Sequence, residues 1–252
     1  MAVNAGADIV TNGLIFYLDG SNERCFPGSG TLLKNLFQNI NYSPGATLEN
    51  GTTVLSRPRG YFEFDGTNDY IACGNAGGLF DITVGTISIW YAVRSTQFSG
   101  SWTIGTNAYE QLIANTSAWG IFIFGNPGGT QIVSYDWGNA VNREWASGSL
   151  VTDGTWTNFA LTFTETTGTP SNNAKAYVNG ILVSTFTIKH SSHTNLRLGA
   201  NSDAQQFFGP GFLNYPMVYN RVLEQSEILQ NYYAIKGRLE QFPIPVTLGP
   251  EK

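Results

Sequence analysis

Asn179-Gly180, set between Ala174–Val178 and Ile181–Val183, constrains this chain more than any other pair of residues. Both central positions of a type I′ turn need positive φ, and Asn-Gly between two strand-like runs supplies it. The dipeptide therefore predicts a tight antiparallel hairpin, and a two-residue period recurs elsewhere. In Thr86–Val93, Ile87, Ile89, Tyr91 and Val93 share one face, with Thr86, Ser88 and Trp90 on the other. Thr157–Thr164 gathers Phe159, Leu161 and Phe163 in the same way. Ile121–Phe124 is apolar on both faces, as a central strand covered on each side would be. Gly13–Asp19 and Tyr61–Asp65 add further strand-like runs. Runs of this kind from Gly13 to Tyr219, with turn residues between them, predict an all-β chain.

One stretch departs from that period. From about Leu223 to Lys236, the residues Ile228, Leu229, Tyr232 and Ile235 recur at spacings of three and four, which predicts one short amphipathic helix. Glu224 and Glu227 suit its positive end, and Gly237 is placed as its C-cap, with Lys236 and Arg238 beside the negative end. Beyond Arg238 the pattern stops. Pro243, Pro245 and Pro250 mark a segment suited to extended geometry and barred from an interior strand. Phe242, Ile244, Val246 and Leu248 in that segment are costly to leave in water, so it reads as an interaction arm. The organisation expected is an N-terminal arm over residues 1–12, a β domain over 13–239 and a Pro-rich C-terminal arm over 240–252.

At 252 residues the chain suits a single large β domain whose core needs no metal or disulfide staple. Cys25 and Cys73 either pair or stay free. Charged residues are only 12% of the chain, and 13 Lys and Arg against 18 Asp and Glu give −5 with no basic run. Nucleic acid as a partner is thereby excluded, because phosphate binding needs clustered positive charge. No apolar run approaches the ~20 residues that cross a bilayer, so membrane insertion is not expected. Met1–Asp8 has neither a basic n-region nor an apolar h-region, and the expectation is synthesis in a host cytoplasm without a signal peptide.

Several blocks in series resemble the concanavalin A-like, laminin-G-like jelly-roll superfamily. They are Gly13–Gly20, Phe64-Asp65-Gly66-Thr67-Asn68-Asp69-Tyr70-Ile71, Thr86–Trp90, Gly154–Phe159, Tyr177–Gly180 and Leu196–Gly199. Met217–Leu223, Glu227–Tyr232 and Gly237-Arg238 are similar to the version found in tailed-phage virion proteins. The resemblance spans roughly residues 13 to 239. It implies a two-sheet antiparallel jelly-roll sandwich with one short C-terminal helix and extended terminal arms. Two positions depart from it: Leu213-Asn214-Tyr215-Pro216 stands where relatives often carry an acidic residue, and Glu224 where they usually have a Ser or Thr N-cap.

Candidate chemistry is sparse. Laminarinase-type members of the superfamily place Glu, Asp and Glu along one strand, and retaining glycosidases need two carboxylates about 5–5.5 Å apart. Glu63-Phe64-Asp65 begins that pattern, but Thr67 and Asn68 fill the positions of the second Glu. His190 and His193 are the only histidines, with no Gly-x-Ser-x-Gly elbow near a nucleophile. Gly125–Gly129 lacks the Lys of a phosphate-cradling loop. The chain is therefore read as a non-enzyme. Asp65, Asn68 and Asp69 offer three oxygen side chains within one turn, which makes calcium the candidate cofactor, with Asp19 and Asp203 as further donors. The same residues also suit the turn itself through bonds to their own backbone. Tyr135, Asp136, Trp137 and Trp145, with Asn142, Arg143 and Glu144, hold the mix of aromatic, amide and charged groups that grips a pyranose, and equally suit a sandwich core.

The sequence thus points to a non-enzymatic virion structural protein of a bacteriophage. It would sit on the outer surface as a capsid decoration (cement) or tail-surface subunit, held to other virion proteins and to its own copies by the jelly roll and its arms. The alternative is a lectin-like, calcium-assisted host-attachment module that binds a host-surface glycan.

Overall fold

The computed structural model describes residues 8–37, 45–74, 78–93, 109–115, 119–125, 131–137, 142–146, 154–164, 172–187, 195–200 and 210–241. In chain order the early strands are β1 (Leu14–Tyr17), β2 (Leu32–Leu33), β3 (Ala46–Glu49), β4 (Thr53–Val54), β5 (Phe62–Asp65), β6 (Tyr70–Gly74) and β7 (Val84–Val93). Then come β8 (Tyr109–Asn115), β9 (Trp119–Gly125), β10 (Gln131–Trp137), β11 (Asn142–Ala146) and β12 (Thr157–Thr164). The last are β13 (Ala174–Val178), β14 (Ile181–Phe186), β15 (Leu196–Leu198), β16 (Pro210–Tyr219) and the helix α1 (Gln225–Gln241).

These strands form two eight-stranded antiparallel sheets. Sheet A runs β14-β13-β12-β7-β16-β5-β4, with β1 also on β16, and sheet B runs β11-β10-β9-β8-β15-β6-β3-β2. The expected jelly-roll architecture is the one observed. Ile87, Ile89 and Tyr91 of β7 and Phe159, Leu161 and Phe163 of β12 lie in one core with Ile71, Leu112, Ile113, Ile121, Leu196 and Leu198 of sheet B. Cys25 and Cys73 are both free and buried there, and burial pushes the Cys25 thiol up to about 11 and that of Cys73 higher still. Neither is poised as a thiolate.

The predicted hairpin is present. Asn179 and Gly180 have φ of 51° and 77°, and Val178 faces Ile181 across the ladder. Its tip lies against the helix, since a Cβ on Gly180 would come within 2.8 Å of Leu229 Cδ2.

Sheet A has a second apolar face. Trp90, Ala160, Tyr177, Met217 and Tyr219 point away from the sandwich core and are covered by Ile228, Ile235 and Leu239 of α1. That cover is why Thr86, Ser88 and Trp90, the polar-leaning phase of β7, are all buried. Asn158 amid them donates to Ser88 Oγ at 3.0 Å and to the Ile89 carbonyl at 3.3 Å.

Polar ties fix the helix at both ends. Glu224 takes the N-cap position without a Ser or Thr, and its backbone N–H donates instead to Glu227 Oε2 at 2.9 Å, half of a capping box. Arg221 grips the same Glu227 through two bonds of 2.8 and 2.6 Å and donates from Nε to the Asn12 carbonyl. Residues 8–12, within the expected N-terminal arm, lie along the helix. Val10 N–H donates to Asn231 Oδ1 at 2.8 Å, Asn231 Nδ2 to the Tyr219 hydroxyl at 3.0 Å, and that hydroxyl to the Val10 carbonyl at 3.0 Å.

The helix end corrects the sequence reading. Gly237 is not a C-cap; α1 continues through it to Gln241. Leu239 is buried in the outer cluster, and Arg238 reaches Asp19 Oδ2 at 3.1 Å while its guanidinium lies 5.2 Å from the Tyr215 ring centroid. These contacts outweigh the glycine's preference for ending a helix. A Cβ at Gly237 would meet nothing within 4 Å. Gly237→Ala is therefore expected to raise unfolding stability by about 0.5–1 kcal/mol. Urea denaturation checks this, and a loss of stability would show that the position is not helical.

Candidate functional site

The acidic turn after β5 spends one carboxylate oxygen of each Asp on its own backbone. Asp65 Oδ1 accepts from Thr67 N–H at 2.7 Å, and Asp69 Oδ2 accepts from Asp65 N–H at 2.9 Å. The Asn68 carbonyl accepts from Asn50 Nδ2 at 3.1 Å. Asp69 is buried and its Oδ1 has no hydrogen-bond partner. Burial, with the neighbouring Asp65 and Glu63 charges, holds its carboxyl above the usual range. Asp19 is engaged with the Ser21 N–H and hydroxyl and with Arg238. Among the described residues no group of three or more His, Cys, Asp or Glu side chains is arranged to hold a metal ion. Asp203, His190 and His193 lie outside the described residues, as do Phe242, Ile244, Val246 and Leu248 of the arm.

The two halves of the aromatic motif become neighbouring strands. In the β10–β11 ladder Tyr135 faces Glu144, Asp136 faces Arg143 and Trp137 faces Asn142, while Trp145 faces Ser134. Strand alternation then separates the four predicted residues. Tyr135 and Trp137 share the phase of Ile121, which faces Tyr135 across β9–β10 and belongs to the core. Asp136 and Trp145 share the opposite phase.

A groove of about 340 Å³ opens elsewhere, where α1 crosses the outer face of sheet A beside the β13–β14 turn. Its walls include Trp90, Trp156, Asn179, Tyr232, Lys236 and Glu240. The alternation of β7 turns Trp90 away from the sandwich core, and the four-residue spacing from Ile228 carries Tyr232 over it. The two rings stack with centroids 5.4 Å apart and planes 9° from parallel. Trp156 enters from the residue before β12 and meets Tyr61 edge-on at 4.8 Å. Lys236 Nζ sits 5.6 Å from the Tyr232 ring centroid and 3.6 Å from Glu240 Oε1.

The indole nitrogens of Trp90 and Trp156 are both shut off from solvent; that of Trp90 has no acceptor among the described residues, and that of Trp156 lies beside the Tyr61 hydroxyl. Asn214, which faces Trp90 across the β7–β16 ladder, accepts from Tyr215 N–H through Oδ1 and leaves its Nδ2 unpartnered. A second depression, of about 380 Å³, lies between Lys175 and Glu224, and among the described residues no buried, unpartnered donor lines it. Sequence reasoning missed the groove, although Trp90 on the polar phase of β7 carried the signal.

Comparison with known structures and families agrees with the architecture. The botulinum neurotoxin serotype D binding domain matches with a TM-score of 0.61 at 13% identity, covering 90% of this chain and 52% of that one. The binding domain of botulinum neurotoxin DC in complex with SialylT matches at 0.60 and 13% identity, covering 87% of this chain and 51% of that one. Trypanosoma rangeli sialidase in complex with sialic acid matches at 0.63 and 15% identity, covering 94% of this chain and 35% of that one. The chain thus spans about half the length of the toxin domains and about a third of the sialidase. No curated protein sequence matches it. A family model, laminin G 3, matches residues 65–229, well over half of the chain, and the protein accordingly belongs to the concanavalin A-like lectin/glucanase superfamily.

Proposed function

We propose that this chain is a non-enzymatic carbohydrate-recognition module that binds a glycan in the groove between α1 and sheet A. The observation that carries the reading is the aromatic-walled groove itself, where Trp156 and Tyr232 stand beside the polar side chains of Asn179, Lys236 and Glu240. Sugar sites combine an apolar wall with a few placed polar groups, and the groove has both. The neighbours support the ligand class, since sialic acid is bound by the sialidase and SialylT by the toxin binding domain. The non-enzymatic reading is supported by the acidic run, where Glu63 and Asp65 stand without the second Glu and Asp65 Oδ1 accepts from the Thr67 backbone N–H. A second reading concerns the setting. The order of the C-terminal blocks and the apolar arm at Phe242, Ile244, Val246 and Leu248 favour a virion surface subunit that also binds its own copies. Calcium bound by Asp65, Asn68 and Asp69 stays a proposal, favoured by the unpartnered Oδ1 of Asp69.

Three measurements test these points. Trp156→Ala is expected to abolish retention on a glycan matrix that holds the parent chain, while Trp137→Ala leaves it intact. The reverse result would move the site to the β10–β11 hairpin, and release of reducing ends from any polysaccharide would overturn the non-enzymatic reading.

Asp69 makes a pH prediction. An unfolded Asp gives up its proton near about 3.9, whereas the native Asp69 holds it to higher pH. Its contribution to stability is complete below that unfolded value and is lost as pH rises through the native one. Asp69→Asn should flatten this part of the pH–stability curve and be at least as stable as the parent at pH 7 without calcium. If calcium raises the melting temperature of the parent and leaves the variant unmoved, the cation uses Asp69; no shift in either removes calcium from this turn.

For the arm, light scattering should compare the full chain with one ending at Gln241. A cut at Arg238 would also delete the buried Leu239 and so confound arm with core. A fall from oligomer to monomer is the expected result, and an unchanged mass would sink self-association through the arm.

A further inference from the structure

An end strand carries a row of N–H and C=O groups without partners, so the edges of a sandwich are where another chain can add to it. Most edges here are guarded. β2 and β4 are two residues long, and β11 carries Arg143 and Glu144. β1, which pairs with β16, is covered by Asn35, whose Oδ1 accepts from the Tyr17 N–H and whose Nδ2 donates to the Ile15 carbonyl. β14 differs: it ends sheet A with six residues and has no charge or proline among them. Among the described residues no strand pairs with its outer edge. β11 approaches without forming a ladder to it, and Ile181 and Leu182 stay 64% and 40% exposed.

The ladder shows which groups of β14 point outward. Asn179 N–H donates to the Asn158 carbonyl and Thr164 N–H to the Asn173 carbonyl. Odd-numbered residues of β13 therefore bond to β12, and even-numbered ones to β14. Leu182 and Thr185 face the odd-numbered Tyr177 and Lys175, so their own N–H and C=O are directed away from the sheet. Tyr177 and Lys175 are two apart, so the bulge at Val183 leaves this outward pair at the spacing of a regular strand. The Leu182 side chain lies on the outer face and borders the depression of about 380 Å³ together with Val222.

The C-terminal segment carries the complementary pattern. In an extended chain, alternate residues share one side-chain face and one hydrogen-bonding edge. Phe242, Ile244, Val246 and Leu248 fall on one phase, each with an N–H, while Pro243 and Pro245, which have none, fall on the other. Such a strand pairs along one edge only, and its prolines block growth from the opposite edge. Pro250 falls on the pairing phase and ends it. Residues directly opposite each other share a face. Pairing with Leu182 and Thr185 thus brings the apolar side chains to the outer face, beside Leu182 and Val222.

We propose that residues 242–248 of a second copy add to the free edge of β14 as an antiparallel strand. This rests on the self-association reading of the arm above and names the surface that receives it. The chain's own segment is poorly placed for the task. Glu240 lines the groove beside Asn179, so α1 ends over the Ile181 end of β14. Descending roughly 10 Å from the helix layer would use about three residues, and the remainder would run parallel to β14. A second copy brings all four apolar residues and the antiparallel ladder, the more stable of the two.

The test uses the full chain, with mass from light scattering and amide exchange followed residue by residue. In the associated chain the Leu182 and Thr185 amides should exchange about tenfold more slowly than in the same chain diluted to single copies. Thr247→Pro puts a proline on the free phase and should associate as the parent does. Ile244→Pro and Val246→Pro each remove an N–H from the pairing phase, and at least one should weaken association about tenfold, the loss expected for one hydrogen bond. All three changes lie beyond α1, so the folded domain is not at risk. On the receiving side, Leu182→Lys should also weaken association, with near-ultraviolet circular dichroism showing an intact fold.

Equal exchange of the Leu182 and Thr185 amides in both states would overturn the β14 assignment and leave self-association through the arm standing. Three proline variants that behave alike would overturn strand pairing in the same way. A full chain that stays a single copy, or a mass unchanged by ending the chain at Gln241, would remove both readings.

Discussion

Sheet A cannot keep its outer face in water, and much of the structure follows from that constraint. Trp90, Ala160, Tyr177, Met217 and Tyr219 all face outward from strands whose opposite side already lines the sandwich core. Each large apolar side chain of this kind gains about 1.5–3 kcal/mol when buried. A sandwich of two sheets has nothing further to offer that face, so a helix is required. Ile228, Ile235 and Leu239 supply it, and the chain has to run straight from the end of β16 into α1 to bring them there.

The position of the helix is set by polar contacts along its length as well as by apolar packing. At the start, Arg221 holds Glu227 and the Asn12 carbonyl at once, so one guanidinium ties the N-terminal segment to the first helical turn. In the middle, the closed set of bonds among Val10, Asn231 and Tyr219 leaves no buried polar atom of those groups unmet. Toward the end, Arg238 reaches the buried Asp19 from the far side of the sequence. A helix held at three points along its length cannot drift over the sheet, and Tyr232 therefore stays stacked on Trp90. A groove built on fixed rings needs little ordering when a ligand arrives, which is where preorganised sites gain affinity.

How far these features were legible follows the range of the interactions that set them. The Asn179-Gly180 hairpin, the core phase of β7 and β12 and the start of α1 depend on neighbours a few residues away, and all were readable. The end of the helix was not, because Arg238 and Asp19 stand 219 positions apart and their contact overrides a local glycine. The aromatic motif was readable as two pieces but not as a ladder. Only the register Ser134–Trp145 shows that alternation sets Trp145 apart from Tyr135 and Trp137. Trp90 was visible on the polar phase of its strand, whereas its meeting with Tyr232 and Trp156 depends on where the helix lies.

Asn214 adds the last step. It lies in Leu213-Asn214-Tyr215-Pro216, the run that departs from the resemblance, and it faces Trp90 across the ladder. A carboxylate there would bring acceptors to the outer face of the sheet; the amide brings an N–H that finds no partner. Three of the four buried, unpartnered side-chain atoms among the described residues are N–H donors of Trp90, Trp156 and Asn214. Each unmet donor costs about 1–3 kcal/mol. Trp90 and Trp156 belong with the outer apolar cluster and Asn214 faces Trp90 across the ladder, so this cost falls on the layer that α1 covers and is offset there by apolar burial.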